Sequence, residues 1–333
     1  MRRPDITVIS PVYNAAPFVG ACVKSCQEQT LSNLELIFVD DGSTDDSLTT
    51  LKRLAENEPR LIVLHQENSG AAVARNSALD KAHGRFVYFI DADDYIPSPT
   101  ALERLYQAAT TQNVHIAGGS MCIDRDGVLD FDSLHGRSLD CFECEEVVEY
   151  RDYQYDYDFT RFIYSLDLIN EQAIRFPALS QFEDPVFHVR IMLAAERFAT
   201  IPDAVYAYRN GHQTRVWDER AVLDRLAGIT TLLELSRERK LAKLHSHVLG
   251  QLDQEMTFVL LDHAGSTRVA SALMKANSCI DCSLLQEIDG AFPDTYLVEA
   301  LRLVFNDFVR MNRLRHSAPG RLYARLRDRV KKE

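Results

Sequence analysis

The sequence predicts an α/β protein with a doubly wound, mostly parallel sheet flanked by helices, followed by an all-helical C-terminal domain. Two observations support this prediction. Short apolar runs alternate five times with helical spacing up to residue 118, and after residue 218 the apolar spacing is helical throughout. Crossover helices between apolar strands favour parallel pairing with helices on both faces. We therefore predict one domain over 1–215 and a second over 216–333.

The alternating region divides into elements at its turn residues. The predicted strands cover 5–12, 34–39, 61–65, 86–90 and 114–118. The predicted helices start near Pro17, near Ser43 or Thr44 as an N-cap, at Gly70, and near Pro99. Because the C-terminal ends of parallel strands share one edge of a sheet, we expect the polar residues that follow these strands to line one crevice.

The pattern changes after residue 118. Residues 124–158 are rich in acidic and tyrosine side chains and are interpreted as a surface excursion, partly loop. Residues 160–176 are predicted to form an amphipathic helix that buries its aromatic side chains. A helix near Pro185 and a strand pair around 197–209 complete the first domain.

Charge is distributed unevenly along the chain. The formal net charge is −12, yet residues 301–333 contain ten basic and three acidic side chains, which leaves −19 for the first 300 residues. This balance excludes a uniformly basic nucleic-acid-binding protein, and an acidic body needs a cation to hold an anionic ligand. No apolar run reaches the roughly 18 residues of a membrane span, and Met1 leads directly into a strand-like segment. We therefore expect a cytoplasmic protein.

The seven cysteines are an odd number and are expected to be reduced thiols in the cytoplasm. Two Cys-x-x-Cys pairs occur, Cys141 with Cys144 and Cys279 with Cys282. Four thiolates can form a structural zinc site, but these pairs lie far apart in the sequence and in acidic surroundings. The sequence leaves both interpretations open.

Three acidic segments stand at the ends of predicted elements. Asp91-Ala92-Asp93 ends the fourth strand, Asp40-Asp41 ends the second, and Glu183-Asp184 precedes a predicted helix. Two carboxylates on one turn repel each other unless they share a cation, and Mg²⁺ or Mn²⁺ prefers such oxygen ligands. A solvated turn or a helix N-terminus would explain each segment separately. Two acidic strand ends on one sheet edge favour a binding site.

Together these motifs resemble those of the family 2 glycosyltransferases, which have the GT-A fold. The matching segments occur in the family's order: Pro11-Val12-Tyr13-Asn14, Asp40-Asp41-Gly42-Ser43-Thr44-Asp45, Asn68-Ser69-Gly70, Ala74-Arg75-Asn76, Asp91-Ala92-Asp93-Asp94 and Glu183-Asp184. The resemblance covers about residues 5–215 and does not extend to the C-terminal domain. It implies an enzyme with a nucleotide-sugar donor, which we expect to be UDP-linked.

The resemblance also implies roles for individual residues. Nucleotide-sugar contacts are expected from Pro11, Val12, Tyr13, Asp40, Asp41, Asn68, Arg75, Asp91 and Ala92, with Arg209 and Thr214 near the diphosphate. Asp93 matches the metal ligand of the D-x-D motif, with Mn²⁺ or Mg²⁺ as the cofactor. Asp184 matches the catalytic base of a single in-line displacement, which inverts the anomeric carbon. Metal binding near Asp93 is expected to help keep Asp184 ionised.

Two other functions are compatible with parts of the sequence. A sugar-phosphate nucleotidyltransferase can use a similar sheet, but it usually has a Gly-rich basic loop where Pro11-Val12-Tyr13-Asn14 stands. A non-catalytic carbohydrate-binding protein of the same fold is disfavoured by the complete set of Asp91, Asp93 and Asp184.

The C-terminal segment suggests where the acceptor is met. Leu322, Leu326 and Val330 lie on one helical stripe flanked by Arg and Lys residues. A basic amphipathic helix over 318–333 suits an anionic membrane surface, so we expect a glycan or lipid-linked acceptor and peripheral association with the inner face of the membrane. Docking of this helix on the acidic body, or homo-oligomerisation through the helical domain, are the alternatives. The resemblance implies a role in bacterial surface polysaccharide or glycolipid synthesis.

Overall fold

The computed structural model describes residues 2–125, 127–130, 141–209 and 216–303, so Thr214 and the segment 318–333 lie outside the described residues. The chain divides into two compact units, Met1–Val216 and Trp217–Glu333. All described strands belong to the first unit, and the described part of the second unit contains helices and turns. The division lies one residue from the boundary expected at 215.

A nine-stranded sheet runs through the first unit. Its strands are β1 (Ile6–Val12), β2 (Leu34–Asp41), β3 (Leu61–Gln66), β4 (Phe86–Phe89), β5 (Ile116–Arg125), β6 (Val128–Asp130), β7 (Val147–Glu149), β8 (Phe162–Ser165) and β9 (Arg197–Arg209). They are ordered β3-β2-β1-β4-β8-β5-β9-β7, with β6 paired to β5. The half formed by β3, β2, β1 and β4 is parallel, whereas β8 runs antiparallel to both β4 and β5.

Helices follow the first four strands in the predicted alternation. The helices of the first unit are α1 (Val19–Gln27), α2 (Ser47–Ala55), α3 (Ala71–Leu79), α4 (Ala101–Thr111), α5 (Tyr150–Tyr153), α6 (Leu166–Glu171) and α7 (Glu183–Ala195). Those described in the second unit are α8 (Glu219–Arg239), α9 (Ala242–Gly250), α10 (Thr257–Asp262), α11 (Thr267–Ser278) and α12 (Cys282–Ile288), with a π-helical turn, Gln251–Glu255, after α9. None of the described helices is long and apolar enough to cross a lipid bilayer.

The central strands are buried because helices cover both faces of the sheet. Every residue of β2 and β4 is buried, as expected for strands in such a position. On one face, Val8 and Phe38 pack in a single core with Val19 and Cys22 of α1 and Leu102 of α4. This core holds β1, β2, α1 and α4 together, and it thereby holds in place the strand ends that carry the polar residues.

The prediction of a helix over 160–176 is correct only for its middle part, because neither 160–165 nor 172–176 is α-helical. Residues Phe159–Arg161 form a 3₁₀ turn, Phe162–Ser165 form β8, and only Leu166–Glu171 are helical. Every residue of β8 is buried, because this strand is inserted between β4 and β5. Aromatic and β-branched residues favour such a strand, and a short apolar run does not distinguish a buried strand from a buried helix.

Other predicted boundaries also differ from the structure. The expected strand pair at 197–209 is one strand of 13 residues, β9, whose register against β5 shifts between Gly118 and Ser120. The strand expected at 114–118 extends to Arg125 as β5. The excursion at 124–158 includes the short elements β6, β7 and α5. Helix α2 begins at Ser47 after Asp46, so neither Ser43 nor Thr44 is its N-cap.

Candidate active site

A cavity of about 380 Å³ opens at the C-terminal ends of β1 and β2 and at the turn after β4. This volume lies within the range of about 300–1,000 Å³ that is typical of small-molecule sites. The lining residues are Pro11, Val12, Tyr13, Asn14, Ala15, Phe18, Asp41, Ala71, Arg75, Asp91, Ala92 and Asp93. Eight of them were expected to contact a nucleotide-sugar or a metal, and these eight come from four separate segments of the chain.

Two loops that line or support the cavity are joined to each other. Asn14, which follows β1, has a positive φ of 50°, a conformation that asparagine tolerates better than most residues. Five bonds connect its loop to the loop after β2 and to the start of α2: Asn14 N to Ser43 Oγ (3.1 Å), Thr44 N to Asn14 Oδ1 (2.8 Å), Thr44 Oγ1 to Asn14 Oδ1 (3.2 Å), Ala15 N to Ser47 Oγ (2.8 Å) and Ala16 N to Asp45 Oδ2 (3.0 Å). The Ser43-Thr44-Asp45 motif therefore holds the loop that carries Tyr13, whose exposed fraction is 52%.

The two adjacent acids at the end of β2 face opposite sides of the sheet. Asp41 lines the cavity and accepts hydrogen bonds from Gln66 Nε2 (2.7 Å), Ser69 N (2.9 Å) and Gly70 N (2.8 Å). Asp40 is fully buried, and its Oδ2 pairs with His65 Nδ1 at 2.7 Å. Successive residues of a strand point to opposite faces, so only one of the two expected acids reaches the cavity.

Asn68 also stands outside the cavity lining, and it lies against a tight turn. A Cβ atom at Gly42, which has a φ of +73°, would lie 2.7 Å from the backbone nitrogen of Asn68. Only glycine combines this backbone conformation with so close an approach. The structure thus places Asn68 against the turn that follows Asp41.

Arg75 joins two of the acidic segments. Its Nη2 donates to Asp91 Oδ1 at 2.8 Å, and its Nη1 donates to Glu183 Oε1 at 2.9 Å. The guanidinium carbon lies 5.0 Å from the ring centre of Phe159 and 5.4 Å from that of Phe176. This buried cation, only 5% exposed, therefore connects the turn after β4 to the first turn of α7.

Asp184 stands beside this ion-pair network at the start of α7. The residue before the helix, Phe182, has a positive φ of 71°, an uncommon conformation for an aromatic residue. Burial, and then the neighbouring Glu183, raise the pKa of the Asp184 carboxyl to about 8, although Arg75 acts in the opposite direction. A carboxyl with this pKa holds a proton in most of the molecules at neutral pH, and it can accept a proton in the molecules in which it is ionised.

The D-x-D turn is tied to the end of β9 by Asp94, which stood within a quoted motif but was given no role from the sequence. Asp94 donates its backbone N–H to Asp91 O (3.0 Å), and its side chain accepts from Arg209 N (2.7 Å) and from the hydroxyl of Tyr206. Arg209 Nε in turn donates to Asp93 O at 2.9 Å. Burial, and then Asp91 and Asp93, raise the pKa of Asp94 to about 8. Arg209 thus lies against the turn rather than in the cavity lining.

The carboxylates of the turn after β4 suit a cation that is bound jointly by the protein and by a ligand. Asp91 Oδ1 is engaged by Arg75, both oxygens of Asp94 accept hydrogen bonds, and Asp93 of the same turn lines the cavity. Among the described residues, no three His, Cys, Asp or Glu side chains form a group able to hold a metal by themselves. Mg²⁺-type ions are commonly held by one or two carboxylates together with substrate phosphates.

The cysteines of the two Cys-x-x-Cys pairs form no disulfide within the described part of the chain.

Other cavity residues were also missed, for identifiable reasons. Phe18 and Ala71 stand at the starts of helices and carry no chemical motif. Asn14 stood within a quoted motif, but its bonds to Ser43 and Thr44 depend on the approach of two loops that are distant in sequence. The tolerance of asparagine for a positive φ is the one local signal that could have indicated its role.

Comparison with known proteins identifies the class. Residues 7–180 match the family model described as Glycosyl transferase family 2. The glycosyltransferase GlyA of Streptococcus pneumoniae is 31% identical over 243 residues, which is 68% of this chain and 34% of GlyA. Two further curated relatives are matched over 61% and 32% of their own lengths. The chain therefore spans only part of these relatives.

Two solved structures share the fold. TarS 1–349 of Staphylococcus aureus, in complex with UDP-GlcNAc, has a TM-score of 0.68 at 21% identity, covering 84% of this chain and 82% of TarS 1–349. The mannosyltransferase PcManGT of Pyrobaculum calidifontis, in complex with GDP-Man and Mn²⁺, has a TM-score of 0.54 at 21% identity, covering 97% of this chain and 84% of PcManGT. The expected GT-A fold is thereby confirmed.

The match to the family model covers more than half of the chain. The protein belongs to glycosyl transferase family 2.

Proposed function

We propose that this protein is an inverting glycosyltransferase that moves a sugar from a nucleoside diphosphate donor to a hydroxyl group of a glycan or lipid-linked acceptor. One observation carries the proposal. Arg75 bridges Asp91, at the cavity, to Glu183, which is adjacent to Asp184. A ligand that fills the cavity and reaches past Arg75 would present its far end to Asp184, where a base is needed.

The acceptor positions of Asp41 favour uridine as the nucleoside. A carboxylate can accept about four hydrogen bonds, and Asp41 already accepts three from N–H donors of the described residues. This leaves about one acceptor position of Asp41 for the ligand. Uracil presents a single ring N–H, whereas guanine presents a ring N–H and an amino group side by side. The binding of UDP-GlcNAc by TarS is consistent with this choice.

The transfer step needs one base. Asp184 would accept the proton of the acceptor hydroxyl while that oxygen bonds to the anomeric carbon and the bond to the diphosphate breaks on the opposite face. The products are a glycoside of inverted configuration and a nucleoside diphosphate. A pKa near 8 suits this role, because a base is most effective when its pKa lies close to the working pH.

A divalent cation bound at Asp93 would neutralise the negative charge that collects on the diphosphate leaving group. We propose Mn²⁺ or Mg²⁺, and the Mn²⁺ complex of PcManGT is consistent with this choice. EDTA is expected to abolish transfer, and added Mn²⁺ or Mg²⁺ to restore it. Full activity in the presence of the chelator would contradict the role given to Asp93.

A panel of nucleotide-sugars tests the proposal directly. Each donor is incubated with the protein and Mn²⁺, and the release of the nucleoside diphosphate by slow hydrolysis is measured. We expect release from one UDP-sugar in preference to GDP-sugars. Titration calorimetry with UDP and Mn²⁺ distinguishes an enzyme with an unsuitable donor from a protein without a nucleotide site. Absence of UDP binding together with no release from any donor would contradict the proposal.

We propose that the acceptor is met at a membrane surface. The support is the basic, amphipathic sequence of residues 318–333, which lie outside the described residues. The similarity of the chain to GlyA and TarS does not bear on this point, because it concerns only the family and the fold. Placement at the inner face of the membrane and a role in surface polysaccharide or glycolipid synthesis belong to the same proposal.

A further inference from the structure

The D-x-D turn is connected to the end of β9 beside the cavity. The turn after β4 carries Asp91 and Asp93, which line the cavity, whereas Arg209 is the last residue of β9 and lies 115 residues beyond Asp94 in the chain. Two parts of the molecule that are remote in sequence therefore meet at this point. Their relative position needs a specific restraint.

Asp94 supplies this restraint through both of its side-chain oxygens. Its Oδ1 accepts the backbone N–H of Arg209 at 2.7 Å, and its Oδ2 accepts the hydroxyl of Tyr206. Asp94 is only 2% exposed and Tyr206 only 1%. Hydrogen bonds to a buried carboxyl group are strengthened because water does not compete for the partners.

Further contacts join the same two segments, and one of them is the bond from Asp91 N to the Tyr206 hydroxyl at 3.4 Å. The backbone groups of Tyr95 and Ala207 form an antiparallel bridge, with Ala207 N donating to Tyr95 O at 2.9 Å. Arg209 Nε donates to Asp93 O at 2.9 Å. The guanidinium of Arg209 also lies 5.2 Å from the ring centre of Tyr95 and 5.4 Å from that of Phe18, a residue of the cavity lining. Arg209 is thus held on the Asp93 side of the cavity.

We propose that Asp94 and Tyr206 are positioning residues, which hold Arg209 at a fixed distance from Asp93. The guanidinium of Arg209 and a divalent cation held at Asp93 would then meet the donor diphosphate together. This inference rests on the proposed function. It assigns no contact with the donor to Asp94 or Tyr206. Their effect is on the phosphate end of the ligand, and it leaves the contacts of the nucleoside unchanged.

Titration calorimetry with two ligands tests the proposal. UDP and UMP, each with Mn²⁺, are titrated into the wild-type chain and into the Asp94→Ala and Asp94→Asn variants. Asp94→Ala is expected to weaken UDP about tenfold and UMP less than about twofold, because only UDP carries the second phosphate. Asp94→Asn is expected to recover most of the loss, since its amide oxygen can still accept from Arg209 N and its amino group can donate to the Tyr206 hydroxyl.

A matched pair of tyrosine variants separates positioning from stability. Tyr206→Phe removes the hydroxyl that donates to Asp94 Oδ2 and accepts from Asp91 N. Tyr88→Phe removes a hydroxyl that is also buried in the sheet, but this one donates to Val205 O at 2.7 Å. Both changes are expected to lower the thermal midpoint by similar amounts. Only Tyr206→Phe is expected to weaken the binding of UDP, by about threefold to fivefold. If Asp94→Ala does not fold, this variant alone tests the positioning role.

Two results would overturn the proposal. One is UDP binding by Tyr206→Phe and Asp94→Ala within twofold of the wild type. The other is an equal loss for UDP and UMP, which would show that these residues support the fold of the whole site rather than its phosphate end. If the wild-type chain bound neither nucleotide, the proposed function would fail as well, and this outcome is distinct from the first two.

Discussion

Arg75 dominates the electrostatics at the scale of single residues. A buried cation is costly without partners, and Arg75 has two carboxylates and two aromatic rings around it. Burial alone would lower the pKa of Arg75, but the neighbouring carboxylates raise it above its usual value. The residue therefore stays charged and couples the Asp91 end of the site to the Asp184 end.

The raised pKa of Asp184 predicts the pH dependence of the reaction. Its carboxyl must be deprotonated to act as a base, and its pKa in the free protein is about 8. We expect kcat/KM, measured by release of UDP, to rise about tenfold per pH unit below this value and to level off above it. Glu183 contributes to the shift, so Glu183→Gln should move the rise to lower pH while its amide oxygen can still accept from Arg75.

A control variant makes this prediction specific. Glu171→Gln removes an exposed carboxylate at the end of α6 and should leave the position of the rise unchanged. A kcat/KM that is flat between about pH 6 and pH 9 in the wild type would contradict the assignment of Asp184 as the base.

The sequence predicted most of the residues around the cavity, but it could not distinguish between neighbours. Asp40 and Asp41 both matched the family's motif, and alternation along a strand allows only one of them to face the cavity. The choice depends on which face α3 covers, since Asp41 is bound by Ser69 and Gly70 at the start of that helix. Tertiary structure of this kind cannot be read from a local pattern.

At the scale of elements, β8 is the clearest difference between sequence and structure. Its residues were expected in a helix, whereas the structure uses them as a short strand that joins the parallel half of the sheet to β5. The partners on either side are distant in the sequence, as the pairs of Tyr88 with Ile163 and of Gly118 with Phe162 illustrate. Pairings of such long range leave no signal in a window of about ten residues.

The pairing of β5 with β8 also predicts a stability effect. A Cβ atom at Gly118 would lie 2.2 Å from a ring carbon of Phe162, whose side chain is fully buried. Gly118→Ala is therefore expected to lower the free energy of unfolding by about 1–3 kcal/mol, measured by urea denaturation. Gly20→Ala is the matched control, because Gly20 lies in α1 and a Cβ atom there would have no other atom within 4 Å.

The control should leave stability unchanged or raise it slightly, since alanine is the better helix former by up to about 1 kcal/mol. Equal midpoints for Gly118→Ala and the wild type would show that Phe162 can move away, and that the β5–β8 pair is less tightly packed than the structure indicates.

At the scale of the whole molecule, the uneven charge distribution has two consequences. The acidic part of the chain includes the strand-end carboxylates, for which Arg75 and the proposed cation at Asp93 provide compensation. The basic end, 301–333, has a net charge of +7 and lies almost entirely outside the described residues.

The sequence predicted the division near residue 215 from a change in apolar spacing, and the structure divides the chain after Val216.

The basic end leads to a prediction for the complete chain. Co-sedimentation with liposomes that contain anionic lipid is expected at moderate salt, and it should weaken as the salt concentration rises. A chain that ends at residue 317 should lose this binding, and liposomes of neutral lipid provide the control. Equal sedimentation with and without residues 318–333 would remove the membrane proposal and leave the transferase proposal untouched.

The central claim is that Asp184 acts as the base of a single, inverting displacement. Proton NMR of the sugar first released by slow hydrolysis of the preferred α-linked UDP-sugar tests it most directly, because the anomers are resolved before they interconvert. We expect the β anomer from the wild type, and from Asp184→Asn no release although UDP still binds. Initial release of the α anomer, or release by Asp184→Asn at a rate near that of the wild type, would contradict the claim.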